Sequence, residues 1–133
     1  MEKMEQIGKA VLDYRFYPED DKYTDGAIED EMLEIARNCS PEQYERVIVE
    51  KKSWPILYHF SHIRQNILEW LPITKEHKVL EIGSGCGPIT GALAKKAGSV
   101  TCIDLSKMRS TINAYRTRDC DKVKIMVGNF QDV

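Results

Sequence analysis

Short apolar runs alternate with amphipathic stretches along the second half of the chain. Val79-Leu80-Glu81-Ile82, Val100-Thr101-Cys102-Ile103 and Val123-Lys124-Ile125-Met126-Val127 have the length and β-branched content of strands. Between the first two runs, Pro88 suits a first helical position and Gly98 closes the segment, which predicts a helix through Lys95-Lys96. Between the second and third, Ser106 can cap a helix from about Lys107 to Arg118. The order is β-α-β-α-β, with crossovers long enough for right-handed parallel connections.

The first half is poor in glycine and helical in texture. A helix is expected from about Asp25 to Asn38, with Ile28, Met32, Leu33, Ile35 and Ala36 on one stripe. Ser40-Pro41-Glu42-Gln43 reads as a cap, a first helical proline and a capping box for a second helix to about Lys51. Trp54 precedes proline and is expected to be extended, so Trp54–Phe60 is left without regular structure. Ser61 caps a third helix, His62 to Leu71, with Ile63, Ile67, Leu68, Trp70 and Leu71 on its apolar side. Tyr17 to Tyr23 reads as a loop. Residues 1–60 are therefore expected to be an N-terminal helical extension or lid, and residues 61–133 the first half of an α/β domain.

With 133 residues, 42% hydrophobic and 30% charged, the composition is that of a soluble globular domain. No apolar run approaches the roughly 18 residues of a spanning helix, and the charged start lacks a signal-peptide core. A cytoplasmic protein without a membrane partner is expected. The formal net charge of −2 hides an uneven spread. Residues 1–60 carry 14 acidic and 8 basic side chains, and residues 61–133 carry 7 and 11. The acidic first half makes a nucleic-acid partner unlikely from sequence. Cys39, Cys86, Cys102 and Cys120 form no C-x-x-C pair, and His59 and His62 lack a third ligand, so no metal site is expected.

Candidate chemistry gathers where the three strands end. Ligands of open parallel sheets bind beyond the carboxyl ends of the strands. Gly83, Ser84, Gly85 and Gly87 follow the first strand, Asp104 ends the second, and Asn129 and Phe130 follow the third. Glycines let a ligand approach the backbone, a carboxylate can accept both hydroxyls of a ribose, and an amide with an aromatic ring can meet the edge and face of a purine. A nucleoside-containing cofactor fits. The dinucleotide fingerprint G-x-G-x-x-G fails because its third glycine position is Pro88, and neither glycine frame makes a P-loop.

The three strand ends, Val79 to Gly87, Val100 to Asp104 and Val127 to Phe130, resemble those of class I S-adenosylmethionine-dependent methyltransferases. The resemblance implies a three-layer, Rossmann-like α/β core with strand order 3-2-1, truncated before strand four, and S-adenosylmethionine as cofactor. It implies that Gly83, Ser84, Gly85 and Gly87 turn under the methionine part, that Glu81 orients the turn or the methionine ammonium, and that Asp104 holds the ribose. Leu105 and Met108 would pad the adenine, with Asn129 and Phe130 beside it. Residues 58–70 resemble a helix that closes the pocket in relatives; Arg64 would meet the methionine carboxylate and Tyr58 the substrate side. The expected function is methyl transfer to a small-molecule or saccharide acceptor by a longer protein. This chain would be its cofactor-binding N-terminal fragment, inactive alone and self-associating through its open edge. A non-catalytic binding or assembly module, and an NAD- or nucleotide-sugar-dependent enzyme, are the alternatives. No catalytic base can be named.

Overall fold

The computed structural model describes residues 2–21 and 26–133. It opens with two strands, β1 (Met4–Ile7) and β2 (Ala10–Asp13), followed by the helices α1 (Ala27–Asn38), α2 (Tyr44–Lys51), α3 (Trp54–Phe60) and α4 (Asn66–Glu69). The α/β part then runs β3 (Lys78–Ile82), α5 (Thr90–Lys96), β4 (Ser99–Asp104), α6 (Lys107–Arg116) and β5 (Val123–Val127). All five strands share one sheet in the order β1-β2-β5-β4-β3. Strands β3, β4 and β5 are parallel, with Ile82 beside Ile103 and Asp104 beside Val127, so their carboxyl ends are level. The expected strand order is present, and the three strands stand within a residue of their expected bounds. α5 starts at Thr90, two residues later than Pro88 implied.

The expectation of a purely helical segment over residues 1–60 is corrected at its start. β1 and β2 form an antiparallel hairpin, and β2 lies parallel to β5 with Leu12 beside Ile125. Each strand has only four residues, too few for an alternation to stand out. Gly8 takes a φ of 57° in the two-residue turn, and the next amide, Lys9, donates to the carbonyl of Arg118 at 2.7 Å. Ala10 and Leu12 are fully buried, so the hairpin extends the hydrophobic core beyond β5. Burying a leucine of this kind contributes roughly 1.5–3 kcal/mol.

Other boundaries shift for local reasons. Trp54 is helical rather than extended; Ser53 before it is the extended residue, and Trp54-Pro55 form the first turn of α3, where proline lacks no needed donor. The third helix breaks into a 3-10 turn, His62–Gln65, and the short α4. Its expected apolar side faces outward for the most part: Ile63, Ile67 and Trp70 are exposed, and Leu68 alone of that set is buried. Ser40 and Gln43 do make the expected cap, with Ser40 N–H donating to Gln43 Oε1 at 2.8 Å. Tyr17 to Asp21 have no regular structure, as expected of a loop; Lys22, Tyr23 and the helix start at Asp25 lie outside the described residues.

Two apolar clusters hold these layers. One joins β2, β4 and β5 to Leu68, Leu93 and Ala114. The other joins Met32, Ile35, Tyr44, Val47, Ile56 and Phe60 to Ile112 and Cys86. Helix α6 contributes to both, so it lies between the sheet and α1. On the outer edge, β3 pairs among the described residues with β4 alone, and Leu80 and Ile82 are 53% and 55% exposed.

Candidate functional site

The chain leaves β3 through three glycines with positive φ: Gly83 at 72°, Gly85 at 56° and Gly87 at 76°. Side chains rarely adopt this backbone region, so the turn needs glycine. A Cβ on Gly83 or Gly85 would meet nothing, which leaves an open cradle over the backbone. Gly87 differs. A Cβ there would collide with the side chain of Asn113 from α6. Its glycine is required by packing, and Gly87 is not among the residues lining either cleft described below.

Asp104 ties the turn to the next helix. Its Oδ2 accepts from Gly85 N–H at 2.8 Å, and its Oδ1 accepts from Ser106 N–H at 2.9 Å. Its carbonyl accepts from Gly128 N–H at 2.9 Å, linking the ends of β4 and β5. Each carboxylate oxygen has room for a second hydrogen bond. Ser106 Oγ and Met108 N–H both donate to Asp21 Oδ2, at 3.1 and 2.9 Å, so a carboxylate from the loop after β2 caps the start of α6. A pairing across more than eighty residues leaves no local sequence signal.

Two shallow clefts meet at Ile82 and Gly83. The first, about 230 Å³, is lined by Gly83, Asp104, Leu105, Asn129 and Phe130, together with Arg109, which sequence reading missed. The second, about 270 Å³, is lined by Tyr58, Arg64, Glu81, Gly83, Ser84 and Gly85. Ten of the twelve residues singled out from sequence thus line one continuous depression. Met108 does not: it packs against the helical cluster. A larger groove, about 560 Å³, lies at the opposite end of the sheet beside Lys75, Gly98 and Lys122, where parallel sheets do not bind their ligands.

The depression is polar on the Glu81 side. Glu81 Oε1 accepts from Thr90 Oγ1 at 2.6 Å and from Cys102 Sγ at 3.5 Å. Burial raises the Glu81 carboxyl above its ordinary range; the Thr90 and Cys102 donors oppose this, Asp104 adds to it and Arg64 opposes it. The Arg64 guanidinium lies 4.6 Å from the centre of the Tyr58 ring. Ser84 Oγ is buried with no hydrogen-bond partner among the described residues. Burial pushes the Cys86 thiol up to about 12 and raises that of Cys102 too, so neither is a nucleophile at neutral pH. On the other side, Asn129 Oδ1 accepts from Gln131 N–H at 2.9 Å. Among the described residues no cluster of His, Cys, Asp or Glu could hold a metal ion, and no helix is long and apolar enough to cross a membrane.

The family model for protein-L-isoaspartate(D-aspartate) O-methyltransferase (PCMT) matches residues 19–131. The chain belongs to this family. The PCMT match bears out the resemblance to class I S-adenosylmethionine-dependent methyltransferases read from the three strand ends. Ribosomal RNA small subunit methyltransferase A of Borrelia garinii subsp. bavariensis is 33% identical over 87 residues, which are 65% of this chain and 31% of that protein. The probable ribosomal RNA small subunit methyltransferase A of Methanothermobacter thermautotrophicus is 38% identical over 66 residues, 50% of this chain and 24% of that one. The chain thus spans less than a third of the length of these curated relatives. Among solved structures, a Haemonchus contortus phosphoethanolamine N-methyltransferase with phosphoethanolamine and S-adenosylhomocysteine aligns at a TM-score of 0.51. It shares 19% identity and covers 80% of this chain and 22% of its own. Geranyl diphosphate C-methyltransferase of Streptomyces coelicolor aligns at 0.50 with 16% identity, over 84% of this chain and 52% of its own. These likenesses show the fold.

Proposed function

We propose that the PCMT-family chain binds S-adenosylmethionine across the two clefts and serves methyl transfer in the protein to which it belongs. The observation that carries this reading is Asp104. Its carboxylate braces Gly85 and Ser106 and still has capacity on both oxygens, beside an open cradle at Gly83 and Gly85. In this reading Asp104 accepts the ribose hydroxyls, and Leu105, Phe130 and Asn129 meet the adenine. The Asn129 amide NH2 faces that task more freely than its oxygen, which already accepts from Gln131. Gly83, Ser84 and Gly85 lie under the methionine part, Glu81 accepts its ammonium, and Arg64 meets its carboxylate. Bound there, S-adenosylmethionine supplies a methyl group activated by its sulfonium. The chain's residues supply orientation and exclude water. His59 lines the second cleft together with Glu81; negligible turnover by these residues alone is part of the proposal.

Two acceptor classes divide the observations. A small molecule or saccharide agrees with the acidic balance of residues 1–60 and with the small cleft beside Tyr58. A nucleic acid is favoured by the naming of the relatives as ribosomal RNA methyltransferases. It is also favoured by residues 51–68, which contain no carboxylate and carry Trp54 and Tyr58 as an exposed stack. The four free cysteines agree with a reducing, cytoplasmic setting. The open β3 edge, with Leu80 and Ile82 exposed, is proposed to pair two copies of the chain. A strictly monomeric mass by light scattering at micromolar concentration would reject that pairing.

Calorimetric titration with S-adenosylmethionine and NAD side by side tests the cofactor. Saturable binding of the first alone is expected, and binding of NAD alone, or of neither, overturns the reading. Turnover assays of the protein to which the chain belongs, with a saccharide and metabolite pool and with ribosomal RNA fragments, then separate the acceptors.

A further inference from the structure

Beneath the glycine turn lies a set of buried polar groups that ligand binding does not use directly. Thr90, Cys102 and Asn113 are each fully buried, on α5, β4 and α6. Asn113 Nδ2 donates to Thr90 Oγ1 at 3.1 Å, and Thr90 Oγ1 donates to Glu81 Oε1 at 2.6 Å. With the amide in this orientation and Glu81 ionised, the direction follows. A threonine hydroxyl has one proton, and an amide NH2 can only donate. With Asn113 filling a lone pair of Thr90, the hydroxyl proton is left for Glu81. An amide turned the other way would compete with the carboxylate for that proton.

We infer that Thr90 and Asn113 are positioning residues, a donor relay that holds Glu81 in one rotamer and in its ionised form toward a cationic group bound in the cleft. The identity of that cation, the methionine ammonium, rests on the cofactor reading above. The relay also gives Gly87 a reason. Asn113 occupies the space that any side chain at position 87 would need, so the third glycine of the turn protects the relay. The groups that face Glu81 are few. Burial and Asp104 favour its neutral form, and Thr90, Cys102 and Arg64 favour its charged form. Thr90 is the strongest of the opposing donors, so removing its hydroxyl should raise the pH at which Glu81 takes up a proton.

Thr90→Val removes the proton and keeps the shape, and Thr90→Ser restores the proton. In ligand-free protein, the Glu81 carboxyl carbon followed by NMR should titrate at higher pH in Thr90→Val and return toward the parent in Thr90→Ser. S-adenosylmethionine affinity at neutral pH should fall about tenfold in Thr90→Val. The loss should grow as pH falls, and Thr90→Ser should recover it. Should Thr90→Val not fold, Cys102→Ala removes the weaker donor and should shift the same titration upward by less. An unmoved Glu81 titration, or weaker binding with an unmoved titration, overturns the relay. A moved titration with no S-adenosylmethionine binding by any variant, the parent included, upholds the relay and fells the cofactor reading.

Discussion

The glycine turn and the N-terminal segment are attached to the same three parallel strands in opposite ways. The turn is braced by a residue 19 positions away, Asp104, and by backbone bonds at the strand ends. The N-terminal segment is held by groups of α6 and of the residues flanking it, across about eighty positions of chain. Arg109 pairs with Glu29 at 3.1 Å, Ser106 and Met108 donate to Asp21, and Arg118 Nη1 and Nη2 donate to the carbonyls of Ala36 and Cys39 at 2.6 and 3.1 Å. The first attachment is short in sequence and shapes a ligand surface. The second is long in sequence and reaches the turn through Arg116, whose Nη1 donates to the carbonyls of both His59 and Cys86, at 2.6 and 3.1 Å. Contacts that do not pass through Arg116 or Cys86 should therefore fail separately from the turn.

The largest effect is expected at the turn. Gly85→Val puts a branched side chain at a φ of 56° and into the open cradle. S-adenosylmethionine affinity should fall by about a hundredfold or more, ~3 kcal/mol, while the cooperative unfolding transition survives. Calorimetry showing parental affinity would remove the turn from the cofactor site. Next comes Asp104→Ala, which deletes the acceptor for Gly85 and Ser106 as well as for ribose. A loss of about tenfold to a hundredfold is expected, with Asp104→Asn intermediate because it keeps one acceptor oxygen. Equal affinity for Ala and parent would detach ribose from Asp104.

The opposite outcome is expected at the clamp. Arg118 caps the C-terminal end of α1, where unpaired carbonyls and the helix dipole favour a cation. Its own carbonyl also accepts from Lys9 in the hairpin turn. Arg118→Ala should cost about 2 kcal/mol in urea unfolding, with hydrogen exchange rising first in α1 and the hairpin. S-adenosylmethionine affinity should change less than about threefold, since Arg118 touches neither cleft. A binding defect as large as that of Asp104→Ala would show that the two regions are coupled after all.

This contrast also explains what could be read from the sequence. The three parallel strands, the glycine turn and Asp104 are local patterns, each carried by a few neighbouring residues, and all of them fell in place. The hairpin escaped because Met4–Ile7 and Ala10–Asp13 are short and become strands only by adding to β5. Arg109 and Asp21 escaped because their roles are set by residues eighty or more positions away. The packing role of Gly87 escaped for the same reason: its collision partner, Asn113, sits on another element. Met108, an adenine contact by the family resemblance, packs against the helical cluster instead.

The smallest effect sets two carboxylates against each other. Asp13, at the end of β2, is fully buried beneath Arg15 and Lys124, with Arg15 Nη2 at 2.7 Å, Arg15 Nε at 3.0 Å and Lys124 Nζ at 3.2 Å. Hydrogen bonds from Arg15 hold its carboxyl down to about 2, against the opposing effect of burial. A carboxylate whose folded value is depressed stabilises the fold above its unfolded value near 3.8 and loses that contribution as pH falls toward about 2. The loss should be roughly 2 kcal/mol. Glu81 has the opposite sign. Its raised value penalises the fold at neutral pH, and that penalty is relieved as pH falls through the raised value toward 4.5. Urea unfolding from pH 7 down to 2 should therefore show Glu81→Gln removing a gain on the first part of the descent and Asp13→Asn removing a loss on the last. Asp13→Asn should be less stable than the parent at neutral pH and should approach it near pH 2. If its stability keeps the parental slope between about pH 4 and 2, the Arg15–Asp13–Lys124 cluster does not carry the acid sensitivity of the hairpin, and its burial serves packing alone.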